Sequence, residues 1–108
     1  MTLRRIVLPE AAEELLQAAE WYEDRRPGLG VEFLGAAEKA MDAAASSPLA
    51  AAIWPNSARH RRRVMGKFPY VMVYEVRPDA IEFVAIAHTS REPGYWLKRT
   101  RIGPATKP

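Results

Sequence analysis

The chain has 108 residues, enough for one ordinary domain, and 48% of them are apolar, which is sufficient for a core. It holds no cysteine, which excludes disulfides, thiolate catalysis and cysteine–zinc sites, and no run approaches the ~18–20 apolar residues of a membrane span. The net charge of +3 conceals an asymmetry: residues 1–50 hold five Lys/Arg against nine Asp/Glu, whereas residues 51–108 hold eleven against four. A basic half of this kind is the footprint of an anionic partner, either nucleic acid or an acidic protein, or else of solvated surface alone. Only three apolar residues separate the opening Met1-Thr2-Leu3-Arg4-Arg5 from Pro9, far short of a signal-peptide core, so a cytoplasmic protein is expected.

Residues 3–8 (LRRIVL) are short, partly β-branched and stopped by Pro9, and read as an edge strand leading into a helix. Glu10, Glu13 and Glu14 suit the positive end of that helix, and Ala12, Leu15, Leu16, Ala19 and Tyr22 recur at helical spacing. The pattern predicts a helix over about 9–25. Arg25-Arg26 and then Pro27-Gly28 close it, and a second helix over about 29–46 carries the stripe Phe33, Leu34, Ala37, Met41 and Ala44 until Ser46-Ser47-Pro48. The two form an antiparallel hairpin.

Residues 49–59 read as irregular, because Trp54-Pro55-Asn56-Ser57 is a loop signal, with Trp54 covering one end of the core. Strands follow from Arg61: first 61–65, then 70–77 (YVMVYEVR) after a turn at Gly66-Lys67-Phe68-Pro69, then 81–88 (IEFVAIAH) after Pro78-Asp79-Ala80. The last two are apolar at nearly every position, which predicts central strands covered on both faces. Residues 90–100, with Pro93-Gly94, are open to one short C-terminal helix, and 103–108 read as a tail beyond a single domain of residues 1–102. The expected fold class is α+β: an antiparallel sheet packed against an N-terminal helical hairpin, in the order β-α-α-β-β-β.

Standard catalytic signatures are missing. His60 and His88 lie apart with no HxxxH or carboxylate cluster, so no metal or cofactor is expected, and neither a nucleophile elbow nor a phosphate loop occurs. What remains is a set of cations beside aromatics: Arg59, Arg61, Arg62, Arg63 and Lys67 on one side, His88, Arg91, Tyr95 and Trp96 on the other. Adjacent antiparallel strands bring the start of one to the end of the next, so the two groups are expected to converge. Cations stabilise phosphorane-like charge and Tyr or His exchanges protons, which is the minimum for metal-free RNA cleavage. The same residues also serve as a plain anionic contact surface or as solvated charge. Taken singly, His88 reads as a hydrogen-bonded structural residue, Tyr74 as core, and Trp96 as packing the terminal segment onto the sheet. Arg91 reads as a working group in a loop.

The segment Phe68-Pro69-Tyr70-Val71-Met72-Val73-Tyr74-Glu75-Val76, then Ile81 to His88, then Arg91-Glu92-Pro93-Gly94-Tyr95-Trp96, resembles the ParE branch of the ParE/RelE toxin superfamily. Pro9-Glu10-Ala11 leading to Trp21-Tyr22 resembles the first helix of that family, and the likeness spans about residues 3–97. The resemblance implies the toxin of a type II toxin–antitoxin system. Such a toxin inhibits DNA gyrase and is neutralised in a heteromeric complex by a small, partly disordered ParD-like antitoxin. The RelE branch implies instead a metal-free endoribonuclease acting on mRNA in the ribosome.

For that nuclease alternative the candidate catalytic residues are Arg91, Tyr95, His88 and Arg63. Arg61, Arg62, Arg63, Lys67, Arg91 and Trp96 are the candidate target or nucleic-acid contacts, and Leu15, Trp21 and Tyr22, with the sheet edge, the candidate antitoxin contacts. Val71 departs from the nuclease branch, which commonly places an arginine directly after the strand-opening tyrosine. That departure favours the ParE branch.

Overall fold

The computed structural model describes residues 3–55 and 57–99, so the tail expected over 103–108 lies outside the described residues. In chain order run β1 (Arg4–Val7), α1 (Pro9–Arg25), α2 (Leu29–Ser46), β2 (Ala52–Trp54), β3 (Ser57–Met65), β4 (Phe68–Val76) and β5 (Ala80–His88). Pro9 opens α1 where its missing N–H costs nothing, and the Leu8 N–H before it donates to Phe83 O at 3.0 Å, extending the β1 pairing into the helix cap.

Between the helices Gly28 takes a φ of 90°, the left-handed conformation that a side chain disfavours. The Glu23 carboxylate accepts from the Gly28 N–H at 3.0 and 3.1 Å and from the Gly30 N–H at 3.0 Å, so α1 supplies the acceptor for the free N–H groups that begin α2. Gly30 is required by the crossing itself, because a Cβ there would stand 2.6 Å from the Ala19 carbonyl.

One five-stranded sheet has the order β1-β5-β4-β3-β2. Every neighbouring pair is antiparallel except β1 with β5, which run parallel from Arg4↔Ala80 to Val7↔Phe83. A parallel pair needs a long connection, and here the intervening elements provide it. The inner strands β4 and β5 are the two apolar runs, and Ala80 through Ala87 are all buried.

Residues 49–59 differ from the expected irregular stretch. They contain β2 and the opening of β3, a hairpin turning at Pro55 with Ala52↔Arg62 and Ile53↔Arg61 in register. The Arg61 guanidinium fastens this hairpin to the chain before it, donating to Ala51 O at 2.7 Å and Leu49 O at 3.3 Å.

The helices cover one face, α1 over β5 and α2 over β3 and β4. Tyr22, Phe33, Phe68 and Tyr70 meet there with ring centroids 4.9–6.3 Å apart. Arg5 ties β1 to α2 through Glu38 at 2.9 Å and through Asp42.

The opposite face, called the far face below, is covered at one end by residues 90–99. Linked turns replace the short helix to which this segment was open, with Tyr95 N→Glu92 O, Leu97 N→Gly94 O and Arg99 N→Trp96 O hydrogen bonds. Its anchor is Trp96, fully buried, with ring centroids 4.9 Å from Trp54 and 4.6 Å from His60. Trp54 covers the core as its sequence context indicated. Among the described residues no helix is long and apolar enough to cross a membrane.

Candidate functional site

Side chains alternate across a strand, and that period divides the arginine run of β3. Arg61 and Arg63 stand opposite Tyr74 and Met72 and so share their face, whereas Arg62 lies with Val64, Val71 and Val73 on the far face. There, a cavity of about 310 Å³ opens between the sheet and the 90–99 segment. Its floor is Val64, Val71 and Ala87, Trp54 and Trp96 wall it, and Arg62, His88, Arg91 and Tyr95 bring polar groups to its rim. The expected convergence of the two cationic groups therefore holds for Arg62 and Arg91. It does not hold for Arg61, whose guanidinium is bound to backbone carbonyls, or for Arg63 and Lys67, which line a groove of about 530 Å³ along α2. Lys67 is moreover paired with Glu32 at 2.7 Å, which holds that carboxyl below its usual range together with Arg26. Trp96, a candidate contact residue by sequence, is fully buried, and packing rather than surface recognition is its place.

The polar residues of the rim are already engaged. His88 Nδ1 is bonded to Ser90 N at 3.0 Å and Ser90 Oγ at 2.8 Å, and its ring packs edge-on to Tyr70, 5.1 Å between centroids. The Tyr95 hydroxyl donates to Glu14 Oε2 at 2.7 Å. Burial first, then that hydrogen bond and the carboxylate charge, push its ionisation well above the usual tyrosine range. A phenol held in this way is a poor exchanger of protons near neutrality. The exposed Arg91 guanidinium lies 3.8 Å from the centroid of the Tyr95 ring.

A second concavity, about 570 Å³, runs beside α1 and is lined by Glu14, Gln17, Ala18, Trp21, Tyr22, Pro69, Tyr70, Ile86, His88 and Arg91. Of the three residues assigned to antitoxin contact, Trp21 is half exposed, with Arg25 stacked 3.9 Å over its ring. Tyr22 presents one edge to the groove and is otherwise part of the aromatic cluster, while Leu15 packs partly into the core. Arg91 and His88 belong to both concavities, so the α1 groove and the far-face cavity meet at the end of β5.

One functional-looking cluster escaped the sequence. His60, Glu75 and Glu82 stand side by side in register across β3, β4 and β5, all buried. Arg77 reaches Glu75 at 2.7 Å and Glu82 at 3.2 Å, Arg59 approaches Glu75 at 3.4 Å, and His60 Nε2 lies 3.1 Å from Glu75. Burial, reinforced by the Arg59 and Arg77 charges, lowers His60 to about 4 in spite of Glu82. The available signal was the presence of two carboxylates in otherwise apolar strands, since buried charge requires partners. Among the described residues no group of three or more His, Asp or Glu side chains is arranged to hold a metal ion.

The sequence matches the family model for the ParE toxin of the type II toxin–antitoxin system, parDE, over residues 6–93. A solved structure described as the chromosomal ParDE TA system from P. aeruginosa is similar in fold, with a TM-score of 0.70 at 13% identity, covering 81% of this chain and 96% of that one. No curated protein matches the chain. With the match spanning β1 through the loop after β5, and the helical hairpin and sheet shared with that structure, the chain belongs to the ParE toxin family of type II toxin–antitoxin systems.

Proposed function

We propose that this protein arrests growth by inhibiting DNA gyrase in the cytoplasm and is neutralised by a cognate ParD-like antitoxin. The observation that carries this reading over the nuclease alternative is the dispersal of the nuclease set. Arg63 faces the helix side, away from Arg91. Tyr95 is occupied by Glu14 and His88 by Ser90. What the far face offers instead is a surface of recognition chemistry. Arg62 and Arg91 stand at the rim of an apolar floor on which Val64 is 71% exposed. Exposed apolar area framed by cations is characteristic of a protein-docking surface. The antitoxin is assigned to the α1 groove, where Trp21 supplies a half-exposed aromatic anchor. Residues 1–102 act as one toxin domain.

Expression of the chain without a partner should stop bacterial growth, and the purified protein should block supercoiling by gyrase while leaving cellular mRNA intact. Uninhibited gyrase together with cleaved mRNA would select the nuclease reading instead. Arg62→Ala and Arg91→Ala should each weaken gyrase inhibition, whereas Trp21→Ala should weaken antitoxin binding and spare toxicity.

A further inference from the structure

The Glu14 carboxylate of α1 accepts hydrogen bonds from Ile86, Tyr95 and Arg99, and the proposed activity assigns it no role. Its side chain is 16% exposed. Oε1 accepts from the Ile86 N–H at 3.0 Å and from Arg99 Nη1 at 2.9 Å, while Oε2 accepts from the Tyr95 hydroxyl at 2.7 Å and from Arg99 Nη2 at 2.9 Å. Three separate pieces of chain thus meet on one carboxylate: the helix, the sheet edge and the terminal segment. The Ile86 amide needs this acceptor because β1 pairs with β5 only as far as Phe83. Arg99 meanwhile donates to Val84 O at 3.2 Å, so two side chains cap the strand edge where a neighbouring strand would otherwise bond it.

We propose that Glu14 is a positioning residue for Arg91, acting through Tyr95. The hydroxyl–carboxylate bond fixes the Tyr95 ring, and Arg99 flanks the same ring, its guanidinium carbon 4.9 Å from the centroid. The exposed face supports the Arg91 guanidinium at 3.8 Å, where attraction to the ring quadrupole orients a side chain that would otherwise sample many rotamers. Arg91 is thereby held at the junction of the α1 groove and the far-face cavity. Tyr95 in this arrangement is a shelf and keeps its proton. The functional half of the proposal rests on the reading of Arg91 as a target contact, and the geometric half stands independently of it.

The test uses the full chain with 15N-labelled arginine. The Arg91 Nε–H resonance should be displaced by the Tyr95 ring current in the wild type. It should move toward the value of a free arginine in Glu14→Ala and in Tyr95→Phe, with Glu14→Gln, which keeps a neutral acceptor, in between. A glutamate that only stiffened the fold would lower thermal stability and leave that resonance in place, which would overturn the proposal. If Glu14→Ala fails to fold, Tyr95→Phe removes the same bond while preserving the ring.

In the growth assay, survival on expressing either variant should rise about two- to fivefold toward that of Arg91→Ala, the scale of one exposed cation–π contact. A moved resonance with wild-type growth arrest would overturn the link to function. A wild type that never arrests growth would instead remove the toxin reading, and the resonance would still decide the role of Glu14.

Discussion

The two faces of the sheet are covered by different physics. On the helix face, α1 and α2 bury aromatic and alanine side chains in regular stripes, and the rings of Tyr22, Phe33 and Phe68 interlock. On the far face, a run of turns is held by one tryptophan and a few long-range polar contacts, above a buried row of His60, Glu75 and Glu82. Non-directional burial tolerates small shifts, whereas paired buried charges do not. The helix face therefore serves as scaffold, and the far face holds groups in defined positions at the cost of sensitivity to any lost partner.

The comparison breaks if the far-face cover is merely draped on the sheet. Trp96 and Phe33 are both fully buried, one under each cover, and truncation of either to alanine should cost about 3–5 kcal/mol in urea unfolding. A Trp96→Ala loss under about 1 kcal/mol would mark the 90–99 segment as loosely attached, outside the range of a buried aromatic.

The buried row sharpens the contrast through pH. His60 is lowered from an ordinary 6.5 to about 4 in the folded state. As pH falls from 6.5 the unfolded chain takes up the proton first, so this contribution to stability is complete above 6.5 and disappears progressively down to about 4. The full amplitude is about 3 kcal/mol, from the distance between the two pKa values. Denaturant midpoints across that window should fall steeply for the wild type and much less for His60→Gln. Parallel profiles would show that His60 is not the group responsible.

How much of this was legible in the sequence follows the same division. Both helices were readable because apolar residues recur at their spacing and because Pro9 and Pro27-Gly28 mark their ends. The central strands β4 and β5 announced themselves as apolar runs. The β2–β3 hairpin was legible only from Arg61 onward, because residues 57–65 place arginines at both parities: Arg61 and Arg63 on one face and Arg62 on the other. With no alternation of apolar and polar residues, only 61–65 was read as a strand, and β2 with the opening of β3 was read as irregular. The face assignment of Arg62 against Arg61 needed the register. Glu14 carried a sufficient local reading as an acid in the first turns of a helix, and its real partners, Tyr95 and Arg99, lie 81 and 85 residues away. Trp96 was recognisable as packing by residue type alone, and it is fully buried.

Two smaller effects test the junctions between regular elements. Gly30→Ala should destabilise by about 1–3 kcal/mol, the range for forcing one methyl into a filled space, because α1 must move away from the Ala19 contact. Glu23→Gln, by contrast, leaves that crossing intact and should cost less, since an amide oxygen can still accept from the Gly28 and Gly30 amides. Similar losses for the two would mean that capping, not the close crossing, sets the geometry of the hairpin.

The finest test separates adjacent arginines in β3. Arg61 is bound to the carbonyls of Leu49 and Ala51, so Arg61→Ala leaves partners of the β2 hairpin unsatisfied and should cost about 1 kcal/mol. Arg62 is exposed, over the Trp54 ring at 5.5 Å, and Arg62→Ala should change stability by less than about 0.5 kcal/mol. Activity should respond in the reverse order, because Arg62 lines the far-face cavity and Arg61 does not. Measuring unfolding and growth arrest for both variants places each arginine on two axes. Arg61 belongs high on the first and low on the second, and Arg62 the opposite. If the two coincide on both, strand alternation is not what divides the arginine run into structure and recognition.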